Sequence, residues 1–168
     1  SPASNQLLNN NGDGTFTDIA GEAGVACAGE RSVMLAPADL DGDRDTDLVV
    51  FNSGAAARIF LNDRFGRYHE AHMTAESVRG DCGGVVQDFN GDGRPDLLVF
   101  PGPNVQGRLY FSNESRELQP SAEFDDCIRT VSTWSPIGTP RVADMDLDGD
   151  LDIVLFDRSG RVLFNDGE

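Results

Sequence analysis

Three short stretches of this 168-residue chain concentrate the residues that could do chemistry. They read DLDGDRDTD at Asp39–Asp47, DFNGDGRPD at Asp88–Asp96 and DMDLDGDLD at Asp144–Asp152. Each puts an oxygen-bearing side chain at positions 1, 3, 5 and 9 of nine: Asp39, Asp41, Asp43 and Asp47; Asp88, Asn90, Asp92 and Asp96; Asp144, Asp146, Asp148 and Asp152. Alternate residues of a tight loop can turn such groups toward one point. A hard cation that takes about 6–8 oxygens at roughly 2.3–2.6 Å, in flexible geometry, matches that supply; calcium is such an ion. The position-7 backbone carbonyls of Asp45, Arg94 and Asp150 are natural further ligands. Magnesium fits less well because it demands a near-ideal octahedron and sheds water reluctantly. Zinc would want His or Cys, and neither lies inside these stretches. The expectation is three calcium ions per chain.

Other uses of the same residues fit worse. An EF-hand needs a bidentate acid at position 12 between flanking helices. Position 12 is Val50, Val99 or Leu155, and the flanks are β-branched and aromatic. Solvated acidic turns without a metal would account for one such loop more readily than for three in equivalent contexts. Gly42, Gly91, Gly93 and Gly149 permit the sharp backbone turns a ligand loop needs. Arg44 stands where the second loop has Gly93, so the first loop is expected to be the most strained.

Each loop runs into an apolar segment, DLVVFN, DLLVFP or DIVLFD, and is preceded by another: SVMLAPA, CGGVVQ or TPRVA. A third segment follows a glycine-bearing turn (ARIFLND, GRLYFSN, GRVLFND), and a more polar fourth follows in RYHEA and RELQP. The N-terminal part carries only the last two elements of such a unit, QLLNNNGDGTFTDIA, with NGDG as a hairpin turn. The first Asp of each loop falls at 39, 88 and 144, periods of 49 and 56 residues. No segment longer than a turn has a helical period. The pattern predicts an all-β chain: β-propeller blades of four-stranded antiparallel sheets, about three blades plus a partial one, in units of approximately 1–31, 32–80, 81–136 and 137–168. Asp47–Asn52 and Asp96–Phe100 should lie mid-blade, buried on both faces. Gly83–Gln87 should line the crowded axis.

The stretch VVQDFNGDGRPDLLVF and the hairpin NNGDGTFTD resemble the FG-GAP/VCBS repeat family. NNNGDGTFTDIAGEAGVA is similar, more narrowly, to its cartilage-acidic-protein-like members. The resemblance covers roughly residues 6–168. It implies the calcium-binding propellers found in integrin α-subunits and in many secreted bacterial proteins, with the calcium loop joining the innermost strand to the next. The stretch Asp125–Ile137 departs from the pattern and reads as an inserted loop. Thirteen strands make fewer blades than the roughly 4–8 of a closed ring. The expectation is an incomplete propeller, or one completed by oligomerisation, in which GTFTDIA of one chain supplies the outer strand that the last unit of another lacks.

Composition excludes several classes. Asp and Glu number 29 against 13 Lys and Arg, a net charge of −16 that three calcium ions would bring to −10. That is no nucleic-acid binder. No apolar run approaches 18 residues, so no membrane span is expected. The start SPASNQ shows no signal-peptide pattern and reads as a processed or excised N-terminus. Cys27, Cys82 and Cys127 lack metal spacing and permit either one disulfide with one free thiol or three reduced thiols. Arg79-Gly80-Asp81 reads as a turn entering a strand rather than an adhesion tripeptide, and Asn113-Glu114-Ser115 is a glycosylation sequon only in a eukaryotic secretory host. His69-Glu70-Ala71-His72 reads as an exposed strand edge, and Trp134 as a packed loop anchor. No nucleophile, base and oxyanion constellation is visible. The functional expectation is a non-enzymatic extracellular module, secreted or at the cell surface, for adhesion, protein–protein recognition or self-assembly. The alternatives are a glycan-binding propeller and a non-catalytic module of a larger secreted enzyme.

Overall fold

The computed structural model describes residues 4–72, 78, 83–100, 107–122, 140–155 and 161–165. Within them the chain is almost wholly β. A short hairpin, β1 (Leu8–Asn10) and β2 (Phe16–Asp18), leads into a single helical turn, α1 (Ala20–Ala23). A four-stranded antiparallel sheet follows in chain order: β3 (Ser32–Ala38), β4 (Asp47–Asn52), β5 (Arg58–Asn62) and β6 (Tyr68–Ala71). A second has the same order: β7 (Gly84–Gln87), β8 (Asp96–Val99), β9 (Arg108–Ser112) and β10 (Leu118–Pro120). The third has β11 (Arg141–Ala143), β12 (Asp152–Leu155) and β13 (Arg161–Leu163). These are propeller blades with incomplete units at either side, as the repeat predicted. Among the described residues no helix is long and apolar enough to cross a membrane.

The reason for unbroken apolar runs is visible in β4 and β8. Every residue of each is buried. Their alternate side chains belong to different cores, because a blade is covered on both faces by its neighbours. Leu48 and Val50 pack with Phe60 against Ala20, Ala23 and Val25 of the N-terminal segment. Val49 and Phe51 face the other way, onto Val86, Leu97, Val99 and Tyr110 of the second blade. Leu98 and Phe100 of that blade then pack with Ile153 of the third. Burying a side chain as completely as Phe51 or Leu98, both 0 % exposed, is worth about 1.5–3 kcal/mol.

The glycine-rich inner strand is as crowded as expected, and the crowding has a specific source. A Cβ on Gly84 would run into the Leu98 carbonyl and stand 2.7 Å from the ring of Phe51, across the seam from the first blade. The inner strands β3, β7 and β11 line an open groove of about 410 Å³ whose walls are mostly apolar, with Gln87 and Arg141 as its long polar side chains.

Arg58 on β5 forms a two-pronged pair with Glu70 on β6, Nε to Oε1 at 2.8 Å and Nη2 to Oε2 at 2.7 Å, and lies 4.9 Å from the centre of the Phe60 ring. His69 and Glu70 are both exposed on that strand, as expected of an edge. Cys27 is a free thiol, 6 % exposed, and burial pushes its pKa up. Native protein should therefore resist alkylation at Cys27, and denatured protein should label fully. Peptide mass spectrometry after timed iodoacetamide treatment measures this; equal labelling rates in the two states would contradict the packing. Arg79–Asp81, Cys82, Cys127, Trp134 and the stretch Asp125–Ile137 lie outside the described residues.

Candidate metal centres

The three acidic loops occupy one place in each blade, the turn from the innermost strand to the next: β3 to β4, β7 to β8 and β11 to β12. The side chains fold the loops themselves. Asp39 accepts the N–H groups of Gly42 (2.8 Å) and Arg44 (3.0 Å). Asp88 accepts those of Asp92 (3.1 Å) and Gly93 (2.8 Å), and Asp144 those of Leu147 (2.6 Å) and Gly149 (3.1 Å). Positions 3 and 5 each accept the N–H two residues on, as in Asp41 to Asp43 and Asp43 to Asp45. The same two bonds recur at Asn90 and Asp92, and at Asp146 and Asp148.

Positions 4 and 6 of every loop take the left-handed conformation. Glycines do this at Gly42, Gly91, Gly93 and Gly149, but Arg44 (φ 73°) and Leu147 (φ 69°) do it with a side chain. The first loop is thus not singled out by strain. The first and third each hold one such residue, and the second holds none.

Position 9 behaves differently from the rest. Asp47, Asp96 and Asp152 are fully buried. Each opens the second strand of its blade and spends one oxygen on the loop and the other on the third strand or, for Asp152, on Asn165 just past it. Asp47 accepts Leu40 N–H and Asn62 N–H, both at 2.8 Å. Asp96 accepts Phe89 and Ser112 N–H, both at 2.9 Å. Asp152 accepts Met145 N–H at 2.7 Å and Asn165 N–H at 2.8 Å. This role was not read from the sequence, where position 9 counted as one donor among equals. The signal was there: the third strands end in FLND, FSN and LFND, a polar residue at one fixed place.

The donor set can be tested against calcium by distance. Two oxygens bound to one ion at roughly 2.3–2.6 Å stand no more than about 5 Å apart. Asp39, Asp41 and Asp43 offer oxygens all within 4.8 Å of one another, and so do Asp144, Asp146 and Asp152. The donors are all oxygen, and the triads fit. The second loop has Asn90 in place of an acid, and the guanidinium of its own Arg94 lies against the Asp92 carboxylate while Nε reaches the Ser112 carbonyl at 3.0 Å. Among the described residues it forms no such acidic triad. Asp45 and Asp150 sit at position 7 with Arg94. Asp45 turns its carboxylate to Arg64 Nε at 2.6 Å, and Arg64 also reaches the Asp43 carbonyl; Arg64, in the β5–β6 turn, was not foreseen.

Desolvation raises three of the loop carboxyls, Asp47, Asp96 and Asp146. Burial pushes Asp47 and Asp96 above the ordinary value, with neighbouring loop carboxylates adding to it. Asp146 is pushed up by desolvation and then by the charge of Asp148. A divalent cation among these groups favours their charged forms instead.

A family model described as FG-GAP-like repeat matches the chain over residues 1–50, 39–99 and 88–155. The chain belongs to the FG-GAP-like repeat family. Two of the matched repeats begin at Asp39 and Asp88, the first residues of two loops, so the family's unit and the structure's acidic turns coincide. The chain is also similar to cartilage acidic protein 1 of Xenopus tropicalis, 27 % identical over 162 residues, covering 90 % of this chain and 24 % of that one. The mouse protein of that name is 30 % identical over 128 residues, covering 65 % and 19 %, and the human one 28 % over 136, covering 70 % and 20 %. This FG-GAP-like chain spans about a quarter or less of the length of these curated relatives.

Proposed function

We propose that this FG-GAP-like chain is a calcium-binding, non-enzymatic β-propeller module of an extracellular protein, used in protein–protein recognition or assembly. The observation that carries it is the threefold recurrence of one oxygen-rich turn with one hydrogen-bond scheme. The ligands are Asp39, Asp41, Asp43 and Asp47; Asp88, Asn90, Asp92 and Asp96; and Asp144, Asp146, Asp148 and Asp152, with the carbonyls of Asp45, Arg94 and Asp150. Sites of this kind in extracellular modules bind at about 10⁻⁴–10⁻³ M, which suits a setting rich in calcium. Isothermal calorimetry with calcium chloride should show binding in that range, and magnesium should compete poorly. No heat up to several millimolar calcium would defeat the reading.

Recognition of protein is favoured over glycan by the surface. Leu8 and Phe16 on the N-terminal hairpin are 55 % and 60 % exposed, and Phe164 beside the third blade is 57 % exposed. These are apolar faces of the kind that blades cover in one another or present to a partner. Among the described residues, the lining of the axial groove includes no aromatic ring on which a sugar would stack. A glycan array with the calcium-loaded protein separates the two readings.

The non-enzymatic reading predicts that purified protein turns over no ester, peptide, phosphoester or glycoside substrate. Hydrolysis that survives repurification and is abolished by one substitution outside the loops would overturn this.

A further inference from the structure

Two contacts tie an acidic loop to the blade that follows it. Asn165, just past β13 in the third blade, donates its Nδ2 to the Phe89 carbonyl at 3.2 Å. Phe89 is position 2 of the second loop, between the ligand residues Asp88 and Asn90. Its N–H is already held by Asp96 at 2.9 Å. One residue at the mouth of the site is thus gripped from its own blade on its N–H and from the next blade on its carbonyl. The second contact has the same sense. Arg116, in the β9–β10 turn of the second blade, lays its guanidinium against Gly42 of the first loop; a Cβ there would stand 2.9 Å from the guanidinium carbon. Gly42 lies between Asp41 and Asp43, two members of the first triad.

We propose that Asn165 and Arg116 are positioning residues for the calcium sites of the preceding blades, Asn165 for the second loop and Arg116 for the first. The inference rests on the calcium reading of the loops. Neither residue is a ligand. Each fixes the backbone beside two ligands, so that less ordering is left for the ion to impose. Binding free energies are reciprocal: if the seam between blades tightens a site, an ion in that site tightens the seam. Calcium then acts between blades as well as within them. Ser112 holds in the second blade the place that Asn165 holds in the third, with its N–H on the position-9 Asp at 2.9 Å, and its buried hydroxyl has no hydrogen-bond partner among the described residues. In that blade it is Arg116 that reaches the loop of the preceding blade.

The test reads each site separately. The backbone amide resonances of Gly42, Gly93 and Gly149 report the first, second and third loops during a calcium chloride titration followed by NMR. Asn165→Ala changes no charge. It should raise the calcium midpoint seen at Gly93 by about fivefold, the worth of one neutral hydrogen bond, and leave Gly42 unmoved. Arg116→Ala should raise the midpoint at Gly42 and leave Gly149 unmoved. Loss of a positive charge alone would lower that midpoint, so a tightened first site overturns the role of Arg116. An unchanged midpoint at Gly93 in Asn165→Ala overturns that of Asn165. If calcium moves none of the three glycines in the unaltered protein, it is the calcium reading that fails. Asn165→Gln, which keeps the amide, should restore part of the loss at Gly93; a global rise at all three glycines in every variant would mark mere destabilisation and overturn the proposal.

Discussion

On the calcium reading, chelation should lower the melting temperature of this chain by roughly 10 °C relative to calcium at tenfold excess over its dissociation constant. The figure follows from mass action. A ligand that binds only the folded state contributes RT ln(1 + [L]/Kd), about 1.4 kcal/mol per site at tenfold excess and about 4 kcal/mol for three. Each kcal/mol moves the midpoint of a domain this size by about 2–4 °C. The cause is electrostatic. Each loop gathers carboxylates that repel one another at these distances and that desolvation or burial already pushes toward the protonated form at Asp47, Asp96 and Asp146. Differential scanning calorimetry in calcium and in EGTA measures the shift. Coincident melting curves would refute the role assigned to the loops.

Asp96→Ala should cost about 4 kcal/mol even in chelator. The Asp96 carboxylate is fully buried and accepts two backbone N–H groups at 2.9 Å, from Phe89 and from Ser112. Hydrogen bonds to a charged acceptor are worth about 1.5–3 kcal/mol each, and a buried donor left unpaired adds its desolvation penalty. The burial that raises the Asp96 carboxyl offsets part of this, which keeps the sum near the lower end. Asp96→Asn retains one acceptor and should cost less. Asp88→Ala gives the contrast: its partners are the exposed loop amides of Asp92 and Gly93, so its effect should appear mainly in calcium. Urea unfolding of the three variants in EGTA orders them. A cost for Asp96→Ala no larger than for Asp88→Ala would remove the distinction between buried and exposed acids.

The strands and loops were legible because they repeat. DLVVFN, DLLVFP and DIVLFD could be aligned with one another, and unbroken apolar runs mean cover on both faces, which the structure places at Val49 and Phe51 on one side and Leu48 and Val50 on the other. The place of the acidic turns, between the first and second strands of each blade, was legible for the same reason. What spacing did not carry was anything that depends on which blade lies next to which. Asn165 is 76 residues from Phe89, and no periodicity within a unit pairs them. Nor did the acid count in the second loop reveal that Arg94 turns back on Asp92. The division of labour among the acids was not read, since Asp39 and Asp47 are one residue type; its trace lay in the polar residue at one fixed place near the end of each third segment, Asn62, Ser112 and Asn165.

The all-buried second strands have a cost that the loops resolve. Most strands hold their register because a slip by one residue would carry apolar side chains into water. β4 and β8 have no wet face, so a slip would merely exchange two greasy sides and leave the hydrophobic effect nearly indifferent. The choice of alignment must come from something polar at a unique place. Asp47 and Asp96 stand at the first residue of these strands, paired in register with Ala38 and Gln87. Each fastens one oxygen to the incoming loop and the other to the far strand. A shifted strand would strand that charge in a dry interior, so one carboxylate acts as the index mark from which its whole sheet is counted.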